Sequence, residues 1–486
     1  MRIDAEILLD KTKQLFLDDY LIVSKDNVVR KMHPAVKRPD NPIMRPTEPW
    51  EGNAVLIFGS VIREGDKYRM WYMGGGGLAY AESTDGLNWV RPIFDFVKVD
   101  GRKTNTLIKM RAGAEADNQA LAEYKAGVPN AIPFFREFNG IHKAPHDPDP
   151  SRRYKMTYTC IDYRGKSKYR GLGVAFSSDG INWKSFKNWV SESSEDISHL
   201  MYDEVRKKWV LYGRTQYYSP EVLKAWSHDK YFKEKNKGRA VTRMESSDLL
   251  EWDYTEWKKS PIIVAADTND PLGTEIYSMQ VFKYESVYIG LVQMFYNRLN
   301  DTLLDFQLAV SRDGVNFERI CNRQAFLPCG DIGEWDRFNN AIADSDPLEM
   351  GDELWFYYSG RTYRHGPYDG TDTYKGPGTR AAIGIATVKR DRFVSLGASF
   401  DKGVIVTKPV KLAGKNLHLN AKADFGEILV EVLDKDKKVI AKSKLLSKDS
   451  LDIGVEWESG NLNTVKGPVS LRITLRNALL FALWCR

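Results

Sequence analysis

One short sequence element recurs along the chain and constrains its fold more than any other feature. It reads Ser-x-Asp-Gly-x-Asn followed by an aromatic residue, and it occurs at residues 83–89, 177–183 and 311–317. A weaker copy lies at 246–252 and the most degenerate at 388–393. Asp-Gly supplies a turn with positive φ, and the aromatic residue begins the next strand. Five such turns predict a repeated β-sheet unit.

A hydrophobic, aromatic strand precedes each copy of the element. These strands share alternating large side chains and are found at 67–72, 153–158, 208–212, 288–292 and 353–358. A sheet of about four strands cannot bury both of its faces alone, whereas several sheets packed radially can. No long amphipathic helical stretch competes with this interpretation. The sequence therefore predicts an all-β fold, with a five-bladed β-propeller over residues 1–400.

The last part of the chain, residues 401–486, has a different pattern. It contains four aromatic residues, Phe425, Trp457, Phe481 and Trp484, whereas the first 400 residues are rich in them. Hydrophobic residues alternate with polar ones at 426–433 and at 469–476. This period of two is typical of antiparallel strands with one buried face. We expect residues 401–486 to form a small C-terminal β-sandwich.

Composition and motif content exclude several classes of function. The net charge of +6 is small for 486 residues and forms no basic stripe, so no nucleic-acid partner is expected. No run of eighteen apolar residues predicts a membrane span, and no signal peptide is recognised, which favours a cytoplasmic location. The four cysteines lack metal-site spacing and suggest reduced thiols. Phosphate-loop, dinucleotide, zinc-protease and calcium-loop motifs are absent, so neither a cofactor nor a metal is predicted.

The repeats, the aromatic strands and the tail together resemble the five-bladed β-propeller glycoside hydrolases of families 32, 43 and 68, and more loosely family 130. The elements at 16–22, 49–52, 335–336 and 471–478 are similar to those of a bacterial branch of this group with a C-terminal sandwich. The resemblance implies an active-site funnel at the propeller axis, lined by the start of each innermost strand. It also implies three catalytic carboxylates from three successive blades. The motifs of sucrose- and fructan-cleaving members are absent, which leaves the sugar open.

Three carboxylates are the predicted catalytic residues, because glycoside hydrolysis needs one acid and one base or nucleophile. Glu51 follows a tryptophan just before a hydrophobic strand, and we assign it as base or nucleophile. Asp196 opens the inner strand of blade three and is assigned as the acid that tunes the donor's pKa. Glu275 enters the inner strand of blade four and is assigned as proton donor. Glu51 could instead be a solvated loop acid and Asp196 a capping or turn acid, and Glu137 is a further candidate in blade two.

The predicted substrate-binding residues are polar or aromatic side chains near the same strand starts, since an aromatic face stacks on a sugar ring. They are Trp50, His199, Arg214, Tyr277, Trp335, Asp336 and Arg337. For His199 and Trp335, an ordinary packing role explains the residue equally well.

The sequence thus predicts a glycosidase that cleaves a furanoside such as an arabinofuranosyl or fructofuranosyl unit, with a glycoside or oligosaccharide as its partner. A phosphorylase of the family 130 type is one alternative, and Arg214, Arg243 and Arg337 are its candidate phosphate ligands. A carbohydrate-binding propeller without catalysis is the other. A sialidase would need a sixth blade and an arginine triad, and the sequence contains five repeats.

Overall fold

The computed structural model describes residues 7–486 except 166–168, 187–188, 193–196, 234–236, 255–258, 298–301, 366–378 and 466. Strands dominate these residues, so the protein is nearly all β, as predicted. The helices among them are Ala114–Lys125, Pro220–Trp226 and Lys230–Lys233, and the short 3-10 turns are Pro49–Glu51, Pro150–Arg152, Cys321–Arg323 and Leu462–Thr464. No helix among the described residues has the length and apolar character that a membrane crossing requires.

Five antiparallel sheets follow one another along the chain, and we number them one to five. In sheets one to four the first strand in the chain lies at one edge, and later strands add outward. Their strands are: sheet one, Val61–Glu64, Lys67–Gly74, Gly77–Ser83 and Thr106–Lys109; sheet two, Phe135–Lys143, Tyr154–Asp162, Tyr169–Ser177, Lys184–Ser185 and Ser191–Glu192; sheet three, Ser198–Asp203, Lys208–Gln216, Arg239–Ser246 and Ile262–Val264; sheet four, Thr274–Tyr284, Val287–Tyr296, Leu303–Ser311, Glu318–Arg319 and Ala325–Leu327.

Sheet five is completed by a strand from the other end of the chain. It contains Asn339–Ile342, Leu348–Met350, Glu353–Arg361 and Ala381–Lys389, and Val36–Lys37 pairs with the last of these. A single parallel pairing between Leu304 and Asn339 connects sheets four and five. Between the last two strands of sheet one, the chain forms a separate hairpin, Phe94–Val99 with Arg102–Thr104.

The three strongest copies of the repeated turn form the same hydrogen bonds. In the first, the Asp85 carboxylate accepts from the backbone N–H groups of Leu87 and Asn88, both at 2.8 Å. The other copies repeat these bonds at 2.8–2.9 Å. The glycines have φ of +75°, +77° and +67°, as the sequence predicted. A side chain is disfavoured at such a φ, which explains the glycine.

Each of these turns also docks on an aromatic side chain of a neighbouring sheet. The Gly180 carbonyl of sheet two accepts from Trp71 Nε1 of sheet one at 2.8 Å, and the Gly314 carbonyl of sheet four accepts from the Tyr212 hydroxyl of sheet three at 2.7 Å. The Gly86 carbonyl of sheet one accepts from the Tyr357 hydroxyl of sheet five at 2.8 Å, across 271 residues of sequence. Sheet five therefore packs against sheet one.

Two six-stranded sheets lie beyond the fifth. The first tail sheet contains Gln14–Leu15, Val29–Met32, Val394–Ala398, Leu417–Lys422, Asp449–Gly454 and Ala478–Cys485; the second contains Ile22–Asp26, Gly403–Thr407, Glu427–Leu433, Val439–Ser443, Trp457–Ser459 and Ser470–Arg476. Ile7–Leu9 pairs with Val410–Leu412 beside them. Alternate residues of Ser470–Arg476 are buried, as the period of two predicted. Both sheets contribute to one hydrophobic core, which includes Leu419 and Ile473.

The N-terminal segment belongs structurally with the tail. Gln14 pairs with Leu483, and Ser24 pairs with Val406. The predicted boundary near residue 400 stays a prediction, but the tail sheets are built from both ends of the chain. Local patterns could not show this, because hydrophobic alternation does not identify a partner strand nearly 400 residues or more away.

Candidate functional site

A cavity of about 300 Å³ lies where the five sheets meet, and we term it the central cavity. Every sheet, or the segment leading into it, contributes to the wall: Leu56, Phe58 and Met73 at sheet one; Glu137, Phe138 and Asn139 at sheet two; Ile197, His199 and Arg239 at sheet three; Tyr277 at sheet four; Arg361, Tyr363 and His365 at sheet five. Larger cavities of about 500 and 580 Å³ lie elsewhere. The central cavity differs from them because residues at the starts of several first strands line it.

Glu137 is the acidic side chain of this wall among the described residues. It lies near the start of the first strand of sheet two, Phe135–Lys143, where its backbone pairs with Thr159. Its side chain is exposed, unlike its buried neighbours on the same strand. A carboxylate that faces an accessible cavity can give or take a proton from a bound molecule.

Tyr277 and His365 form a hydrogen-bonded pair in the wall, with 2.7 Å between the tyrosine oxygen and His365 Nε2. The Arg214 and Arg239 guanidinium groups lie over the tyrosine ring, at 5.0 and 5.4 Å from its centre. Burial, with the positive charges of Arg361 and Arg239, lowers the pKa of His365 to about 4. The imidazole is therefore neutral near pH 7, and we assign Nε2 as the acceptor of the tyrosine hydroxyl and Nδ1 as its protonated nitrogen.

His199 is held in the wall by a buried carboxylate that the sequence did not single out. Asp344 accepts from His199 Nδ1 at 3.0 Å and from His142 Nε2 at 3.2 Å. Burial alone would raise the pKa of Asp344, but the hydrogen bonds and charges of the two imidazoles lower it. Gly140 leaves room for this carboxylate, since a Cβ there would overlap it. Among the residues that the structure describes, no group of three or more His, Cys, Asp or Glu side chains could hold a metal ion.

Glu51 does not line the central cavity. It ends the 3-10 turn Pro49–Glu51, and its side chain is fully buried. The carboxylate accepts from the Tyr72 hydroxyl at 2.6 Å, from Arg91 Nε at 2.8 Å and from the Thr47 backbone N–H at 3.0 Å. Its catalytic assignment stays a prediction, and these contacts favour a structural role.

Glu275 lies behind the wall rather than in it. The buried carboxylate accepts from Arg239 Nη1 at 2.6 Å and from Asn297 Nδ2 at 2.5 Å. Arg239 lines the cavity, and Glu275 lies behind it. The assignment of Glu275 as proton donor also stays a prediction, and Asp196 lies outside the described residues.

Of the predicted substrate contacts, the structure brings His199 and Tyr277 into the wall, with Arg214 stacked behind the tyrosine. The others lie elsewhere. Trp50 donates to Asn105 at 2.8 Å, and Trp335 packs on Tyr358 at 5.4 Å. Their roles in binding remain predictions.

Asp336 and Arg337 also lie outside the wall. Asp336 is buried, accepts from the Tyr358 hydroxyl at 2.9 Å and forms an ion pair with Lys37 at 2.7 Å. Arg337 stacks on Phe338 at 5.4 Å. These contacts satisfy the Asp336 carboxylate without a sugar.

Sequence reasoning missed the contribution of sheet five. Arg361 ends the strand Glu353–Arg361, and Tyr363 and His365 follow with a period of two. The second strand of a sheet runs antiparallel to the first, so its end returns to the level where the first begins. That rule, applied to the predicted strand at 353–358, could have identified these three residues.

Comparisons with known proteins give structural similarity only. No protein-family model matches the chain, and no curated protein matches it. A solved glycoside hydrolase is similar at 16% identity and a TM-score of 0.46, covering 73% of this chain and 92% of its own. A Bombyx mori family 32 β-fructofuranosidase, solved with sucrose, is similar at 10% identity and a TM-score of 0.41, covering 94% and 93%. A Bacillus subtilis family 43 arabinoxylan arabinofuranohydrolase, solved with cellotetraose, is similar at 11% identity and a TM-score of 0.36, covering 91% and 98%.

Proposed function

We propose that the chain is a glycoside hydrolase built as a five-bladed β-propeller with a small β-sandwich. In this proposal sheets one to five are the blades, and the contact from Tyr357 to Gly86 closes their ring. Val36–Lys37 joins the N-terminal segment to the last blade, which fastens the ring from both ends. The two tail sheets, with their shared core, are the sandwich.

The central cavity is the observation that carries the functional proposal. Its wall combines an exposed carboxylate, Glu137, with the rings of Phe58, Tyr277 and Tyr363 and the polar side chain of Asn139. Aromatic faces bind the apolar face of a sugar, while convergent polar groups fix its hydroxyls. A pocket of this composition suits a glycoside better than a flat or purely apolar ligand.

Glu137 is the proposed proton-transfer group. Hydrolysis requires one carboxylic acid that protonates the leaving oxygen and one carboxylate that activates water or attacks the anomeric carbon. Glu51 is the sequence-based candidate for the second group. Asp196, which the sequence assigned as the acid that tunes the donor's pKa, immediately precedes Ile197, which lines the cavity, and we propose it for the second role instead. The furanoside substrate, such as an arabinofuranosyl or fructofuranosyl unit, remains part of the proposal.

The test is a screen of aryl-glycosides and oligosaccharides with the purified protein, in phosphate-free buffer. Glu137→Gln should lower turnover of a substrate with a poor leaving group, and Glu51→Gln and Glu275→Gln test the original assignments. Glu115→Gln, at an exposed helix position, is the matched control and should leave turnover unchanged. Sugar binding without cleavage of any glycoside would instead favour the non-catalytic propeller.

Phosphorolysis is a second candidate, and cations at the cavity favour it. Arg239 and Arg361 line the wall. Of the arginines that the sequence suggested for phosphate, Arg243 pairs with Glu245 at 2.6 Å and Arg337 lies outside the cavity. A strict requirement for orthophosphate and the appearance of a sugar phosphate would identify this reaction.

A further inference from the structure

Two arginines and one glutamate among the described residues line the central cavity. Arg239 and Arg361 line it, and Glu137 is the acid of the same wall among the described residues. Arg239 is compensated by Glu275, whose carboxylate lies 2.6 Å from Nη1. Arg361 is therefore the group whose charge needs an explanation.

Arg361 is held by aromatic rings and not by an acid. Its guanidinium lies 5.4 Å from the centre of the Phe58 ring and 5.6 Å from that of Tyr363. Within the described part of the chain it forms no ion pair, and its Nε is buried without a hydrogen-bond partner. The rings position the side chain, yet they accept no directional hydrogen bond from its buried Nε.

His365 presents a second unused donor at the same wall. Its Nε2 is occupied by the Tyr277 hydroxyl at 2.7 Å, and its Nδ1 is buried without a partner among the described residues. With the tautomer assigned above, that nitrogen carries a hydrogen. Two buried donors on one wall, one of them cationic, thus await an acceptor.

Unused buried donors are costly, because a polar group removed from water without a hydrogen bond destabilises the folded protein. A bound oxyanion would compensate the Arg361 charge and accept a hydrogen bond from its guanidinium. The planar fork of an arginine matches the two oxygens of a carboxylate or phosphate, which a neutral sugar hydroxyl does not provide. The cavity is thus better suited to an anionic than to a neutral ligand.

We propose that this cavity binds an acidic sugar and that Arg361 and His365 hold its oxyanion, which is the carboxylate of a uronic acid. The proposal rests on the glycosidase function and replaces the neutral furanoside substrate with an acidic sugar. Orthophosphate has the same oxyanion chemistry and is the other possible source, so the experiment separates the two.

Binding is measured first, by calorimetry at low salt, with four probes: the methyl glycosides of glucuronic acid, galacturonic acid and glucose, and orthophosphate. The acidic glycosides should bind more tightly than the neutral one. Arg361→Gln should weaken oxyanion binding about 10- to 100-fold, since hydrogen bonds to charged groups are the strong ones, and leave neutral binding within about twofold.

Two further variants keep this result interpretable. Arg361→Lys retains the charge but loses the planar fork, so it should recover only part of the affinity. This variant tests the proposal whether or not Arg361→Gln folds. Arg102→Gln removes one positive charge from an exposed hairpin position and should change nothing. Turnover of aryl uronides and of neutral aryl-glycosides is then compared, with and without orthophosphate.

Each outcome decides a separate question. Uronide binding that depends on Arg361 supports the proposal with the sugar as source, and Arg361-dependent phosphate binding with phosphate-dependent turnover supports it with phosphate as source. Equal binding of acidic and neutral glycosides, unaffected by Arg361→Gln, overturns it, even if neutral glycosides are hydrolysed. Arg361-dependent uronide binding without cleavage of any glycoside would overturn the glycosidase function and leave the oxyanion site standing.

Discussion

The repeated turns and the central cavity differ in how their residues vary from sheet to sheet. At the turns, sheets one, two and four use the same serine, aspartate, glycine and asparagine, with hydrogen bonds that agree within about 0.1 Å. At the cavity, comparable starts of first strands carry different side chains, namely Glu137, His199 and Tyr277.

This difference separates the residues that build the fold from those that serve a ligand. A turn has the same task in each sheet, because its glycine carbonyl must reach an aromatic donor of a neighbour. A cavity wall surrounds one asymmetric molecule, so each sheet must contribute a different group. Repetition therefore indicates scaffold, and loss of repetition at an equivalent position indicates function. The following substitutions test that rule in both regions.

The largest effect is expected at Glu137. Glu137→Gln should reduce turnover of a glycoside with a poor leaving group by about 10²–10⁴-fold, because a positioned acid or base contributes that range. The side chain is exposed, so the free energy of unfolding should change by less than about 0.5 kcal/mol. Steady-state kinetics and denaturant unfolding measure the two quantities. Unchanged turnover would remove Glu137 from the reaction.

Asp344 shares features of both classes of residue. It is buried like a residue that builds the fold, yet it holds His199 in the cavity wall. Asp344→Asn should lower the free energy of unfolding by about 3 kcal/mol, because it removes a buried charge from two imidazole partners. The pKa of Asp344 is lowered in the folded state, so its contribution is present above the ordinary value of 3.8 and is lost as pH falls through the folded value. Urea unfolding of both proteins from pH 7 to pH 3 should show the difference shrinking, and a constant difference would contradict this account.

The close contact at a turn can be isolated with a matched pair of glycines. Gly180 and Gly101 have φ of +77° and +76°, so alanine suffers the same backbone strain at both. A Cβ at Gly180 would lie 2.7 Å from Trp71 Cζ2, whereas nothing lies within 4 Å at Gly101. Gly180→Ala should therefore be less stable than Gly101→Ala by about 1–3 kcal/mol, the usual cost of overpacking. Equal melting temperatures would show that the turn does not dock tightly.

The smallest effect is expected from a turn carboxylate. Burial would raise the pKa of Asp313, but N–H donors of Asn316 and Val315 lower it to about 2. Asp313→Ala should cost about 0.5–1 kcal/mol at pH 7, because the group is exposed and screened. The lowered pKa places its stabilisation above about pH 4, with loss as the pH falls toward 2. Acid unfolding should bring the two proteins together near pH 2, and a persistent gap would assign the effect to packing.

The sequence predicted the turns well because their chemistry is local. Asp85 bonds to residues two and three positions away, so a seven-residue pattern contains the whole interaction. The candidate acids were harder. Glu137 and Glu275 both stand near the start of a first strand, and only the fold shows that Arg239, 36 residues before Glu275, neutralises one of them.

Asp344 and Arg361 were missed for a related reason. Asp344 stands in an Ala-Asp-Ser-Asp-Pro segment that reads as an ordinary loop, and its histidine partners lie 145 and 202 residues away. Arg361 follows a predicted strand, but its position in the wall depends on how five sheets meet. Spacing along one chain does not contain that information.

The pairing of the N-terminal segment with the tail has a consequence for synthesis of the protein. Residues 14–32 leave the ribosome well before their partner strands, such as those containing Leu483 and Val394, are made. Until then, Leu15 and Met32 lack the core in which they are buried with Phe356 and Phe393. Contacts of such long sequence separation form slowly, and exposed apolar strands favour aggregation. The nascent chain therefore carries an unpaired hydrophobic segment until Ala478–Cys485 has been made, and deletion of that strand would leave the segment without its partner.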